Sequence, residues 1–507
     1  MKKSRQLGAF GYRMRLGAAA LLLAAIAPAF AAEPQHDAFY FLSQMNKASA
    51  VMVVEQGIVP KPLGAVIAKA VRQVIADGDK PGGARSGDYL KVEQLLIAVG
   101  GPDVTRLHSG RSRQDIGSTS RRLFLRDDLI AAFAQLNEAR ATLIAIAAKN
   151  PDAIVPAYTW GVQAQPISFG HYILGYAEAL ARDGERYRQA YGRLNMSPLG
   201  AAALGTSSFP VNRPRLAELL GFDGVVENSL DANQISPIDT GIEVSSIAAS
   251  SALTISTLIA DITAQYAQTK PWLLLAEGDL TGGSSIMPQK RNPVGMVALR
   301  TAASKLVGDA QTYYLLSHNV GAGMGDYKAD QPNRVLKDAA DLYAALARLM
   351  KDFVFDDKRA LAEVNADYAT TTELADTLQR LADVPFRVGH HFASELVNFG
   401  RGHSLKPSEI PYNEAQRIYT EAAKLYGVND ARMPLTEAQF RTSLTAENMV
   451  QASQGLGGPQ PAEVARMLAA QKAGVEAERA WLAAVQGRLT QAAERLDVAF
   501  GRLTDGQ

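Results

Sequence analysis

The chain has 507 residues, with 52 Lys and Arg against 51 Asp and Glu, so its net charge of +1 gives no electrostatic footprint for nucleic acid or another polyanion. Its 47% hydrophobic and 20% charged residues are those of a globular protein with room for a large core and two or three domains. The absence of cysteine excludes thiol catalysis, cysteine metal sites and disulfides.

The N-terminus differs from the rest. Lys2, Lys3, Arg5, Arg13 and Arg15 precede an apolar run over 16–26, and Ala29-Phe30-Ala31 forms a small-x-small cleavage site. This pattern predicts a secretory signal peptide over 1–31, too short for a comfortable membrane span, with a retained anchor as the alternative. Its removal takes away five positive charges and no negative ones, moving the net charge from +1 to −4. The expected location is periplasmic or secreted.

Beyond residue 33 the pattern is helical. Leu129, Phe133, Leu136, Leu143 and Ile146 recur at helical spacing within 127–149. A second helix is predicted over 169–194 and the most apolar one over 241–266. Residues 244–260 carry no charge but hold seven Ser and Thr, which points to a helix buried inside a bundle rather than in lipid. Further helices are predicted over 294–316 and 333–355, and an amphipathic one over 462–496. Extended alternating runs are hard to find. Helices apolar most of the way round need partners on several sides, and packing against other subunits supplies them. The expected division is a signal peptide 1–31, an N-terminal helical domain 32–126, a central helical bundle 127–375 and a C-terminal helical domain 376–507.

Three stretches carry possible chemistry. His108-Ser109-Gly110-Arg111-Ser112-Arg113-Gln114-Asp115 lies just before a helix, and a guanidinium at Arg113 among hydroxyl and amide neighbours suits a carboxylate; a solvated basic turn would look the same. Tyr158-Thr159-Trp160-Gly161-Val162-Gln163-Ala164-Gln165-Pro166-Ile167 reads as opening the next helix, where hydroxyls and amides also serve as caps. Thr281-Gly282-Gly283-Ser284-Ser285-Ile286-Met287-Pro288-Gln289-Lys290-Arg291-Asn292-Pro293 is too rich in Gly and Pro for a helix or central strand. It is a loop offering a base or nucleophile (Ser284 or Ser285), a cation (Lys290) and an amide (Asn292), or else a plain surface connection.

Taken together, in this order and spacing, the three stretches resemble the fumarase/aspartase superfamily, and within it the argininosuccinate lyase branch. The segment from Gly283 to Pro293 fits that branch's Gly-Ser-Ser-x-Met-Pro-x-Lys-x-Asn-Pro signature at every defined position. Asn195-Met196-Ser197-Pro198-Leu199-Gly200, Asn228-Ser229-Leu230-Asp231-Ala232 and Gly457-Gly458 add to the likeness. The resemblance implies an all-α subunit of three domains and a homotetramer with a twenty-helix core. It implies active sites assembled from three subunits, and reversible β-elimination that releases fumarate. It assigns Ser284 as the base, Lys290 and Asn292 as electrostatic support, and Gly282 and Gly283 as hinges of a closing loop. Ser112, Arg113 and Thr159 would hold substrate carboxylates, with Gln114, Gln165, Ser285 and Met287 as further substrate contacts.

The departures are as informative. The family's histidine after the threonine is Trp160 here, and the glutamate that pairs with it is Val297, so both members of one charge pair are replaced by apolar residues. Gln114 stands for an asparagine, Ser236-Pro237-Ile238-Asp239 lacks the family's arginine, and 323–331 does not align with the family's Tyr…Gln…Lys segment. The succinyl-handling half is kept and the leaving-group half is changed. The expected function is a carbon–nitrogen lyase acting on an argininosuccinate-like N-substituted aspartate. The alternatives are a non-catalytic binding or structural protein on the same scaffold, and a carboxymuconate cycloisomerase or fumarase type of enzyme. None of the seven histidines makes a ligand spacing with carboxylates and no nucleotide fingerprint is present, so no metal or cofactor is expected. The expected partners are a small dicarboxylate or amino-acid substrate and further copies of the chain.

Overall fold

A computed structural model describes residues 36–504. The stretch 1–31 expected to act as a signal peptide lies outside the described residues.

Three helices begin the fold: α1 (Ala38–Glu55), α2 (Lys61–Gly78) and α3 (Tyr89–Gly100). Asp88 caps α3 by accepting from the Leu90 N–H. Their apolar faces form one core with Leu199, Leu216 and Phe222, closed by Leu496 and Phe500 from the far end of the chain.

The turn leaving this core is held by a buried cation. Arg111 is only 6% exposed and donates to Asn46 Oδ1 and Ser49 Oγ of α1, each at 3.0 Å. Its guanidinium lies 5.3 Å from the Tyr89 ring centroid, and His108 stacks on that ring at 4.3 Å. Burial, and secondarily the Arg111 charge, push the His108 imidazole down to about 4. Because this value lies below the ordinary 6.5, the stacked neutral ring contributes stability fully above about pH 6.5, and that contribution is lost as pH falls toward 4. Urea midpoints measured between pH 7 and pH 4 are expected to fall on the acid side. His108→Phe, which keeps the stack, is expected to flatten that fall; an unchanged acid slope in the variant would locate the titration elsewhere.

Helix α4 (Arg113–Lys149) is the axis of the molecule. It begins at Arg113, well before the apolar pattern over 127–149 starts. Arg122 and Arg126 precede that pattern and Asp128 falls within it, yet all three are buried. Arg122 donates to the carbonyls of Arg193 and Leu194 at 3.0 and 2.8 Å and to Ser236 Oγ at 3.0 Å, and Arg126 donates to Asn195 Oδ1 at 3.0 Å. These arginines satisfy loose carbonyls at the end of the following helix, which is why charge is tolerated inside.

After α4 comes the largest departure from the sequence reading. Residues 154–168 are a hairpin and do not open a helix: β1 (Ile154–Thr159) pairs antiparallel with β2 (Val162–Ser168), with an irregularity at Ala157/Tyr158. Trp160 and Gly161 make the two-residue turn, both with positive φ (57° and 74°), the geometry that matches strand twist. Glycine accepts this at no cost; tryptophan does not.

Helix α5 (Phe169–Leu194) falls where its pattern predicts. The short strands β3 (Met196–Ser197) and β4 (Gly224–Val225) pair in parallel around α6 (Arg213–Leu219). A π turn, Asp231–Ile235, leads into α7 (Ser236–Gln265), which starts earlier than its apolar stretch because Pro237 is tolerated in a first turn. β5 (Leu273–Leu275), α8 (Val294–Ser317), α9 (Gln331–Lys351) and β6 (Phe353–Phe355) follow. The predicted helix over 333–355 thus ends at Lys351, and its last residues pair antiparallel with β5. α4, α5, α7, α8 and α9 share the largest core. The apolar window within α4 is 61% buried and that within 231–265 is 44% buried. Both are long and apolar enough to cross a membrane; here each packs against α5 and α9 in the bundle. Leu253, Ala260 and Ala264 on α7 stay exposed, leaving apolar surface that the described residues do not cover.

The remaining helices are α10 (Asp357–Val364), α11 (Thr371–Ala382), α12 (Phe386–Gly402), α13 (Tyr412–Leu425), α14 (Glu437–Ser443), α15 (Ala446–Ala452) and α16 (Pro461–Thr504). A third core runs from Tyr368 to Leu444. The 44-residue α16 takes no part in that core; it runs back along α5 and α4 to α1 and α2. The chain is all-α apart from these short strand pairs.

Candidate active site

The loop 282–293 is pinned at its neck. Gly282 N–H donates to the Asn292 carbonyl at 2.8 Å and Asn292 N–H donates back at 2.7 Å, an isolated antiparallel bridge. The Asn292 side-chain amide donates to the Gly283 carbonyl at 3.1 Å. A Cβ on Gly282 would sit 3.1 Å from Val294 Cγ1, so the crossing favours glycine. Gly282 is therefore part of the fastening, and Gly283 is the freer of the two glycines expected to act as hinges.

Within this frame Ser284 is half-buried and Ser285 exposed. Ser284 Oγ accepts from the Met287 N–H at 3.2 Å and more weakly from the Ile286 N–H at 3.4 Å. Donors aimed at an oxygen favour its ionised form, and a serine acting as base needs that help. No backbone N–H donates to Ser285 Oγ among the described residues. The Lys290 N–H donates to the Met287 carbonyl at 3.1 Å, closing the turn, while its ammonium is exposed and without a partner among the described residues. Met287 and Ile286 are exposed, the latter 83%.

Ser112, Arg113 and Gln114 sit at the other end of the bundle. Ser112 is the N-cap of α4, its Oγ accepting from the Gln114 N–H at 3.2 Å. Asp115 completes the box: Oδ1 accepts from Ser112 N–H at 2.8 Å and Ile116 N–H at 3.0 Å, and Oδ2 from Gly200 N–H at 2.9 Å and Ala202 N–H at 3.1 Å. Burial raises its carboxyl to about 6, and these N–H groups oppose the rise. Arg113, expected as a carboxylate clamp, is exposed at the first turn. Gln114 Oε1 accepts from Lys328 Nζ at 3.1 Å, and Lys328 also donates to Gln234 Oε1 at 2.7 Å. Lys328 and Gln234 escaped the sequence reading; each lies in an irregular segment, and only the fold brings them to Gln114.

Thr159 is exposed at the end of β1, paired with Val162, and Gln165 is exposed on β2 opposite Ala157. Trp160 at the hairpin tip is fully exposed, at 102%. Val297 is exposed as well.

The bundle's length decides how these parts relate. α4 has 37 residues, about 55 Å at 1.5 Å per residue, with Ser112–Gln114 at its start and the hairpin beyond its finish. The hairpin and the Ser284 loop share an end, since Phe169 after β2 stacks on Phe355 of β6 at 4.2 Å and β6 pairs with β5 on the way to the loop. Lys328 lies past the far end of the 24-residue α8, about 36 Å from the Ser284 loop. One chain therefore brings Ser284, Lys290 and Asn292 together, brings Ser112, Gln114 and Lys328 together, and keeps the two groups apart.

Residues 83–308 match the Lyase family and residues 368–451 match the argininosuccinate lyase C-terminal family. The chain is 30% identical over 469 residues to argininosuccinate lyase of Methanothrix thermoacetophila, covering 91% of each. It belongs to the fumarase/aspartase superfamily, in the argininosuccinate lyase-like branch. Other superfamily members share the architecture. EDDS lyase in complex with formate superposes with a TM-score of 0.82 at 28% identity, over 92% of both chains. The 3-carboxy-cis,cis-muconate lactonizing enzyme of Pseudomonas putida superposes with a TM-score of 0.65 at 19% identity, over 86% of this chain and 96% of that one, which shows the fold alone. Among the described residues no group of three or more His, Asp or Glu is placed to hold a metal ion.

Proposed function

We propose that this superfamily member is a carbon–nitrogen lyase that releases fumarate from an N-substituted aspartate. The observation that carries the reading is Ser284 Oγ, held by the Met287 and Ile286 N–H groups inside a loop fastened by Gly282 and Asn292. A loop with no chemistry to perform has no need of an oxygen-directed pair of donors beside an unpartnered ammonium. An argininosuccinate lyase among the relatives and a 27%-identical EDDS lyase variant with bound fumarate support the same class.

In this reading Ser284 removes a proton from the substrate carbon β to the nitrogen. The resulting dianion is stabilised by Lys290 and Asn292, one such preorganised donor being worth about 3 kcal/mol. The C–N bond then breaks, its electron pair leaving with nitrogen, and fumarate forms. A secondary amine is an ammonium at neutral pH, so it departs as a neutral amine carrying its own protons and the proton taken from carbon stays on Ser284. That balance needs no acid at position 160, which is consistent with Trp160 standing where the family has histidine. The site is completed by copies of the chain arranged so that the Ser284 end of one meets the Gln114 and Lys328 end of another, in a homotetramer. With a signal peptide over 1–31 the enzyme works outside the cytoplasm.

The test is incubation of the mature protein with argininosuccinate and other N-substituted aspartates, and in reverse with fumarate and a panel of amines, following the fumarate absorbance. Fumarate appearing, or being consumed, with at least one amine is expected. No turnover in either direction would remove the lyase reading and favour a binding protein; turnover of a carboxymuconate instead would favour the cycloisomerase.

A further inference from the structure

Beyond its neck the Ser284 loop has a single hold on the body of the protein, and it runs through Arg291. Residues 285–291 are all exposed. Among the described residues, one hydrogen bond joins 284–291 to the rest of the chain: Arg291 Nε donates to Glu277 Oε1 at 2.6 Å. Glu277 is a firm point of attachment. Ala276 N–H, just before it, donates to the Asp352 carbonyl at 2.8 Å, beside the β5–β6 pair. Gly278, just after it, donates its N–H to Thr281 Oγ1 at 3.0 Å and receives the Thr281 N–H on its carbonyl at 3.1 Å.

The same guanidinium folds back over the loop. Arg291 Nη1 donates to the Pro288 carbonyl at 2.9 Å and to the Lys290 carbonyl at 3.2 Å. The Lys290 N–H already closes a turn onto the Met287 carbonyl at 3.1 Å, so both backbone groups of Lys290 are tied down. Its ammonium, by contrast, has no partner among the described residues. A flexible four-carbon stem delivers its charge to one place only if its root is fixed, and electrostatic support counts only when the donor is in place before charge develops. The planar guanidinium suits the task, because seating Nε on Glu277 also sets the direction of Nη1. A lysine at 291 would offer a single ammonium with no such plane.

We propose that Arg291 is a positioning residue: anchored on Glu277, it holds the Pro288 and Lys290 carbonyls and so sets where the Lys290 ammonium stands as the substrate dianion forms. This rests on the lyase reading above. The test uses the assembled protein and an N-substituted aspartate that wild type turns over. Removing one preorganised donor costs about 100- to 1,000-fold in kcat. Arg291→Gln loosens Lys290 without removing it, so kcat is expected to fall about tenfold with KM changed by less than about threefold. The melting temperature is expected to stay the same, because an exposed ion pair contributes little to stability. Glu277→Gln is expected to act in the same direction, and the double variant to be no slower than Arg291→Gln, since Glu277 works through Arg291. Arg291→Lys is expected to fall between wild type and Arg291→Gln. In a Lys290→Met background, Arg291→Gln is expected to lower kcat no further, a result that a merely structural role would not produce. Unchanged kcat in Arg291→Gln overturns the inference. So does an equal loss with and without Lys290, or losses from Arg291→Gln and Glu277→Gln that multiply in the double variant. Each of these leaves the lyase reading standing, because wild type is active. Wild type without turnover overturns the lyase reading and this inference with it.

Discussion

Replacing Ser284 by alanine is expected to lower kcat about 1,000-fold, a rise of about 4 kcal/mol in the barrier, with the melting temperature unchanged. The size follows from what is removed. General base catalysis contributes about 10²- to 10⁴-fold, and no other hydroxyl in the loop has the two backbone donors that Ser284 has. The stability should not follow, because the loop's fastening runs through Gly282, Gly283 and Asn292 and the Met287 and Ile286 N–H groups are on an exposed stretch where water replaces the lost oxygen. Fumarate binding should survive as well. Steady-state kinetics beside calorimetry checks all three parts. Turnover retained in Ser284→Ala would move the base to another residue, and Ser285→Ala is the control that shows which.

The largest loss of stability is expected at Asp115, a fully buried carboxyl in the first turn of α4. Asp115→Ala leaves the N–H groups of Ser112, Gly200 and Ala202 buried without their acceptor, while Ile116 N–H keeps the Ser112 carbonyl at 3.1 Å. Unsatisfied buried donors cost about 1–3 kcal/mol each and are not fully additive, so a loss of about 3–5 kcal/mol is expected in urea unfolding. Asp115→Asn keeps one acceptor oxygen and should lose less. The same change unfastens the 200–202 turn from the start of α4, so what is left of the activity should show a raised KM. An alanine variant as stable as wild type would mean that these N–H groups find other acceptors.

The long helices were legible because their apolar residues keep a helical period: α5 runs over the residues its pattern predicts, and the 282–293 loop announced itself by its glycines and prolines. The first turns of α4 were not legible, because charges such as Arg122 and Arg126 break the apolar period there, and only the fold shows the carbonyls of Arg193, Leu194 and Leu220 that receive them. The hairpin 154–168 was missed for a different reason. Its turn is Trp160-Gly161 in place of the usual Asn-Gly or Asp-Gly, and Pro156 and Pro166 disguise the strands. Ser284 was named by the resemblance, whereas the Met287 and Ile286 N–H groups that its oxygen accepts are encoded by no side-chain pattern. Lys328 and Gln114 are 214 positions apart, and the sequence between them carries no sign that they touch.

The 37-residue span of α4 also sets a tolerance that point substitutions do not probe. One residue inserted or deleted in its middle turns everything beyond by about 100° and shifts it by about 1.5 Å. Ser112 and Gln114 would then face a hairpin rotated by more than a quarter of a turn, with every functional side chain still in place. The helix is thus a calibrated spacer, and its residue count is as much a functional trait as the identity of any group at its ends.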